Sequence, residues 1–122
     1  QYSLTINNHH FYVDLVFYHR ILKCFVLIDL KKNAVKHKDI GQMNMYMGYF
    51  AKEENTIGDN PPIGIILSRT KDELMVEYAT YGMDSQLFIS KYELYLPNKE
   101  ELKRLVNGVI ASENNLTSNN KY

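Results

Sequence analysis

The chain has 122 residues, room for one domain and not two. Apolar residues make up 45% and charged residues 23%, which excludes wholesale disorder, and the longest apolar run, Cys24 to Ile28, is far too short to span a bilayer. The zero net charge hides an asymmetry: residues 1–52 hold seven Lys/Arg against three Asp/Glu, and residues 53–122 hold seven against eleven, so the N-terminal half is the better face for an anionic partner.

In chain order, Tyr2, Leu4 and Ile6 alternate with Ser3 and Thr5, which predicts a strand ending at the turn signal Asn7-Asn8. His10 to Tyr18 and Ile21 to Leu30 are rich in residues that suit a pleated sheet, with a chain reversal around His19 to Leu22. These three segments predict an antiparallel meander. From Lys36 to Glu54 the period changes: Ile40, Met43, Met47 and Phe50 share one helical face. Asn55 to Pro62 is a loop with a firm helix stop, and Ile63 to Ser68 is an apolar run of the buried-strand type. A second helix is expected over Lys71 to Tyr81, with Leu74 and Tyr78 inward. Short extended pieces follow at Leu87–Ile89 and Glu93–Leu96. A third helix over Pro97 to Ile110 carries the stripe Leu102, Leu105, Val106 and Val109. Residues 111–122 are Asn/Ser-rich and read as a flexible polar tail behind a domain of residues 1–110.

The expected class is therefore mixed α/β, a sheet that starts as an antiparallel meander and gains a crossover strand after the first helix, flanked by helices. A chain opening directly on a strand is read as having an N-terminal helix missing. No basic segment followed by a long apolar stretch opens the chain, and the one cysteine, Cys24, excludes an internal disulfide framework, so a cytoplasmic setting is the expectation.

Two residues break their strands. Asp14 interrupts Phe11 to Phe17, and Asp29 interrupts Phe25 to Leu30. With the hairpin turning near residues 20–22, positions 14 and 29 come opposite each other, about 5 Å apart at Cβ. Two carboxylates that close repel unless a proton or cation lies between them, and oxygen-only ligands favour Mg²⁺ or Mn²⁺ over zinc. The plainer reading, acids facing solvent from a half-exposed sheet, stays open on the strand pattern alone. Lys31, two residues beyond Asp29, shares its sheet face and can meet charge growing on a phosphate. The acid-x-Lys pattern recurs at Glu101-Leu102-Lys103, but inside a predicted helix with no acid on a neighbouring strand. Gln42 and Tyr46 lie on one helical face beside the sheet, and such pairs are also common on plain helix surfaces. His9, His10, His19 and His37 lack metal spacing. Lys32, Lys36 and Lys38 fit either a nucleic-acid backbone or a solvated helix start. Cys24 reads as a buried apolar residue and the tyrosines as packing.

Asp14, then Asp29-x-Lys31 after a hairpin, then Gln42-x-x-x-Tyr46 on the next helix, resembles the PD-(D/E)xK nuclease superfamily with its restriction-endonuclease-like fold. The wording of Phe11 to Arg20, of Gly41 to Tyr46 and of Asn60 to Leu67 is similar to the C-terminal nuclease domain of the YhcG-like bacterial family. The resemblance implies a metal-dependent DNA endonuclease domain behind an N-terminal helical domain. It makes Asp14, Asp29 and the Leu30 carbonyl metal ligands for Mg²⁺ or Mn²⁺, Lys31 the catalytic lysine, and Gln42 with Tyr46 the helix support. DNA is then the partner, a homodimer is one way to cut both strands, and no membrane is involved. Asp29 stands where this family more usually has Glu, a methylene longer. The alternative is a catalytically silent module of the same fold for DNA binding or dimerisation, which would have no need of both carboxylates and Lys31.

Overall fold

A computed structural model describes residues 2–70, 73–83 and 85–108. Strands β1 (Tyr2–Ile6) and β2 (His9–Val13) pair antiparallel through a two-residue turn. Asn7 and Asn8 both take positive φ, 50° and 66°, as a right-twisted two-residue hairpin requires and as asparagine tolerates. The second sheet holds β3 (Leu15–His19), β4 (Cys24–Lys31), β5 (Ile63–Thr70) and β6 (Glu73–Ala79), in that spatial order. Its β4–β5 pair is parallel and the outer pairs are antiparallel. Helix α1 (His37–Tyr49) and a π-helical turn (Phe50–Glu54) fill the crossover between β4 and β5, as the apolar run at Ile63 and the preceding helix predict.

The expected meander is corrected in one respect. His10 to Tyr18 is not one strand: the backbone bends at Asp14, the first half pairs with β1, and the second half pairs with β4. The turn between β3 and β4 lies at residues 20–23, with Lys23 at φ 51°.

Strand parity sorts β4 and β5 between two cores. Val26, Ile28, Ile63, Ile65 and Leu67 face one side, where Phe88, Tyr92, Leu96, Leu102 and Val106 cover them. Leu27 and Ile66 face the other side, against Leu4, Val13, Met43, Met47 and Phe50. Asp29 and Lys31 have the parity of Leu27, so they point toward α1 and the β1–β2 hairpin. The methionine stripe packs so close to the sheet that a Cβ on Gly64 would lie 2.5 Å from Met43 Cγ and 2.7 Å from Met43 Sδ. Gly64→Ala is therefore expected to destabilise by about 1–3 kcal/mol through overpacking, read from the urea midpoint.

Two further expectations are corrected. Glu73–Ala79 is a strand, not part of a second helix over 71–81. Leu74, Val76 and Tyr78 all pack on the first core with period two; the Leu74/Tyr78 spacing fits either period, and Val76 decides it. Residues 71 and 72 lie outside the described residues. The extended pieces expected near 87–89 and 93–96 are instead helical turns, α2 (Ser85–Leu87), a π-turn (Phe88–Tyr92) and a 3-10 turn (Glu93–Tyr95). Phe88, Tyr92 and Leu96 are all buried at four-residue steps, which is helical spacing.

Helix α3, residues 99–108, starts on a reciprocal cap: the Glu101 N–H donates to Asn98 Oδ1 at 2.8 Å and the Asn98 N–H donates to Glu101 Oε1 at 3.4 Å. Leu102 and Val106 are buried, but Leu105 is 38% exposed, against the expected stripe. Val109, Ile110 and the tail at 111–122 lie outside the described residues. Among the described residues no helix is long and apolar enough to cross a membrane.

Candidate active site

The β3–β4 ladder ends at the pair Leu15↔Ile28. Asp14 and Asp29 are the next residues on each strand, so the register carries them to facing positions. The bend at Asp14 takes the backbone away from β4, and its side chain replaces the lost ladder partner. The Leu30 N–H donates to Asp14 Oδ2 at 2.8 Å, and the Asp14 N–H donates to Asp29 Oδ1 at 3.2 Å. An aspartate that looks like a fault in the strand thus satisfies backbone groups at the fork between the two sheets.

Lys31 Nζ lies 3.2 Å from Asp29 Oδ2 and 4.0 Å from Asp39 Oδ1. Asp39 sits in the first turn of α1 and accepts from the Lys36 N–H at 2.9 Å, so one carboxylate tethers the helix start and Lys31 together. From α1, Gln42 and Tyr46 reach the same place. Tyr46 is buried and its ring lies 5.9 Å from Phe11 across to β2.

These residues line one open cavity of about 350 Å³: Asp14, Asp29, Leu30, Lys31, Gln42 and Tyr46 are all in its wall, with His10, Phe11 and Tyr12 on the hairpin side. The structure thus brings together every residue singled out as a candidate for chemistry. Tyr12 is 55% exposed there, unlike the packing role expected of the tyrosines; His10 is one of the histidines that lack metal spacing, and Asp39 was not singled out. Only the tertiary fold places Asp39 beside Lys31 and His10 in the wall of the cavity. A larger hollow of about 610 Å³ lies around Thr5, Tyr49 and Tyr81, but Glu53 is its one acid and Lys52 its one cation, so size does not mark the site.

Electrostatics set the protonation states. Burial raises the Asp29 carboxyl above its ordinary value, Asp14 raises it further, and Lys31 only partly opposes them. Burial, then Asp29 and Asp14, push the Tyr46 phenol up to about 12, so it stays neutral. A raised folded-state value means protonation favours the fold. Asp29 therefore stabilises the domain below its unfolded carboxyl range and loses that contribution as pH rises through the raised value. Asp29→Asn is expected to raise Tm at pH 7 without added divalent cation, with the gain shrinking toward zero below pH 4. A fall in Tm at pH 7 would mean that the Lys31 ion pair outweighs the burial penalty.

The donor set suits a hard cation. Asp14 Oδ1 has no hydrogen-bond donor among the described residues, and Asp29 is a buried carboxylate with incomplete compensation. No group of three His, Cys, Asp or Glu forms a ready-made metal centre among the described residues. Two carboxylates are hard oxygen donors of the kind Mg²⁺ or Mn²⁺ takes, and the set lacks the Cys and His of a closed zinc site.

The profile of the family described as the YhcG PDDEXK nuclease domain matches residues 1–107. The Escherichia coli (strain K12) protein named "Putative nuclease YhcG" is 42% identical over 103 residues, which cover 84% of this chain and 27% of that protein. The chain thus spans about a quarter of the length of that relative. No solved structure matches. With its mixed four-stranded sheet, crossover helix and restriction-endonuclease-like arrangement, the chain belongs to the YhcG PDDEXK nuclease domain family.

Proposed function

We propose that residues 1–110 form a divalent-metal-dependent DNA endonuclease domain that hydrolyses phosphodiester bonds. The observation that carries this reading is the grouping of Asp14, Asp29 and Lys31 in one cavity at the fork of two sheets. Asp14, Asp29 and the Leu30 carbonyl would hold Mg²⁺ or Mn²⁺, which supplies an acidified water and a counter-charge for the phosphate. Lys31, held by Asp29 and Asp39, places an ammonium where negative charge grows on the phosphate. Gln42, with no hydrogen-bond partner among the described residues, offers an amide to water or phosphate from the helix side. Neutral Tyr46 closes the floor of the cavity and excludes solvent behind Asp29.

A silent DNA-binding module is the competing reading. It gives no account of a buried carboxylate whose charge the fold compensates only in part. The test is incubation of the chain with plasmid, linear duplex, branched and single-stranded DNA, with Mg²⁺, with Mn²⁺ and with chelator. The expected result is metal-dependent cleavage of at least one form. Binding without cleavage of any form, with either metal, would favour the silent module.

A further inference from the structure

Between the end of β4 and the first turn of α1 the chain carries Lys32, Lys36 and Lys38, all exposed. Among the described residues none of the three has a carboxylate within ion-pair distance, whereas Lys31 has two. They line a hollow of about 140 Å³ whose wall also includes Lys31 and Asp39. Lys31 is common to this hollow and to the candidate active-site cavity, so the two adjoin.

The placement of these cations runs against local stability. Lys36 is the residue preceding α1, and His37 and Lys38 open the helix, where the macrodipole already presents positive charge. Asp39 is the one acid of that turn, and it is committed to the Lys36 N–H and to Lys31. A helix start chosen for stability alone would carry acids in these positions. Local rules broken without compensation inside the fold point to compensation from a ligand. An anionic group seated here would gain from three ammoniums and the helix end together.

We propose that Lys32, Lys36 and Lys38 form a subsite for the nucleic-acid backbone, gripping phosphates next to the one placed at Asp14 and Asp29. This rests on the nuclease reading for the identity of the polyanion, and it assigns the lysines to binding and register, not to chemistry. Their contacts are with phosphate, so they carry no base preference.

The test measures affinity of the 122-residue chain for a labelled duplex, with chelator present to keep the DNA intact, between 50 and 200 mM salt. It compares the parent with Lys32→Gln/Lys36→Gln/Lys38→Gln and with the three corresponding arginine changes. Each lost phosphate contact lowers the slope of log K against log salt by about 0.9, so the glutamine variant is expected to lose about 2.7 and the arginine variant to keep the parent slope. Because the three side chains are exposed, Tm of the glutamine variant should equal or exceed that of the parent, which separates lost charge from lost fold. An unchanged slope in the glutamine variant overturns the proposal, as does absence of duplex affinity in the parent. Salt-sensitive binding through these lysines, with no cleavage of any DNA form when Mg²⁺ or Mn²⁺ is supplied, would uphold the subsite and refute the nuclease reading. Cleavage with an unchanged slope would do the reverse.

Discussion

On the nuclease reading, Asp14→Ala and Asp29→Ala are each expected to lower DNA cleavage by about 10³-fold or more, the equivalent of several kcal/mol of transition-state stabilisation. Each change removes one of the two carboxylate donors in the cavity. Asp29→Ala also strips Lys31 of its nearer partner, leaving only Asp39 at 4.0 Å to hold the ammonium. Asp29→Asn keeps the shape and the acceptor for the Asp14 N–H, but loses the charge, so it is expected to fall as far as alanine in activity while folding at least as well. That opposite movement of activity and stability is the signature of a residue placed for function and not for the fold. Asp29→Glu lengthens the carboxylate by one methylene and should retain measurable cleavage. Lys31→Ala should be equally inactive, since it removes the cation beside the reacting phosphate. Rates are to be read with saturating Mg²⁺, and Tm measured alongside for each variant. Retention of more than a tenth of the parent rate by both alanine variants at Asp14 and Asp29 would remove these residues from the chemistry.

Phe50→Ala is the largest stability effect expected, about 3–5 kcal/mol. The side chain is 1% exposed, and its ring lies 5.2 Å from Tyr2, 5.2 Å from Phe25 and 5.8 Å from Tyr49. It therefore joins the β1–β2 hairpin, the four-stranded sheet and the end of α1 at one point. Collapse of the cavity would require the hairpin to shift, and Tyr2 is also tied by its hydroxyl to Glu54 at 3.3 Å. A loss of that size consumes a large part of the stability of an ordinary domain. Chemical denaturation should show a much lower midpoint, and a loss below 1 kcal/mol would contradict the packing described here.

Much of this arrangement is legible in the residues alone, and the reason differs from element to element. The α1 stripe is visible because Met43, Met47 and Phe50 keep helical spacing across a long window. The parallel strand β5 is visible because Ile63 to Leu67 is buried on both faces and so lacks alternation. Asp14 and Asp29 stand out because each breaks an apolar run, and their facing positions follow from the hairpin register. What is not legible is the division of one apolar run between two sheets: the bend at Asp14 depends on β1 competing with β4 for a partner. Strand β6 and the turns at 85–95 were hidden for a different reason. A few apolar positions such as Leu74 and Tyr78 satisfy both periods until the neighbouring layer selects one. The tether from Asp39 to Lys31 depends on where α1 docks, and nothing local in the sequence encodes it.

On the nuclease reading, a divalent cation binds between the strand carrying Asp14 and the strand carrying Asp29. Calorimetric titration of Mn²⁺ or Mg²⁺ into the chain, beside Asp14→Ala/Asp29→Ala, tests it most directly. One binding event is expected in the parent and none in the variant. Equal binding by both proteins would place the metal elsewhere and rule out a site at Asp14 and Asp29.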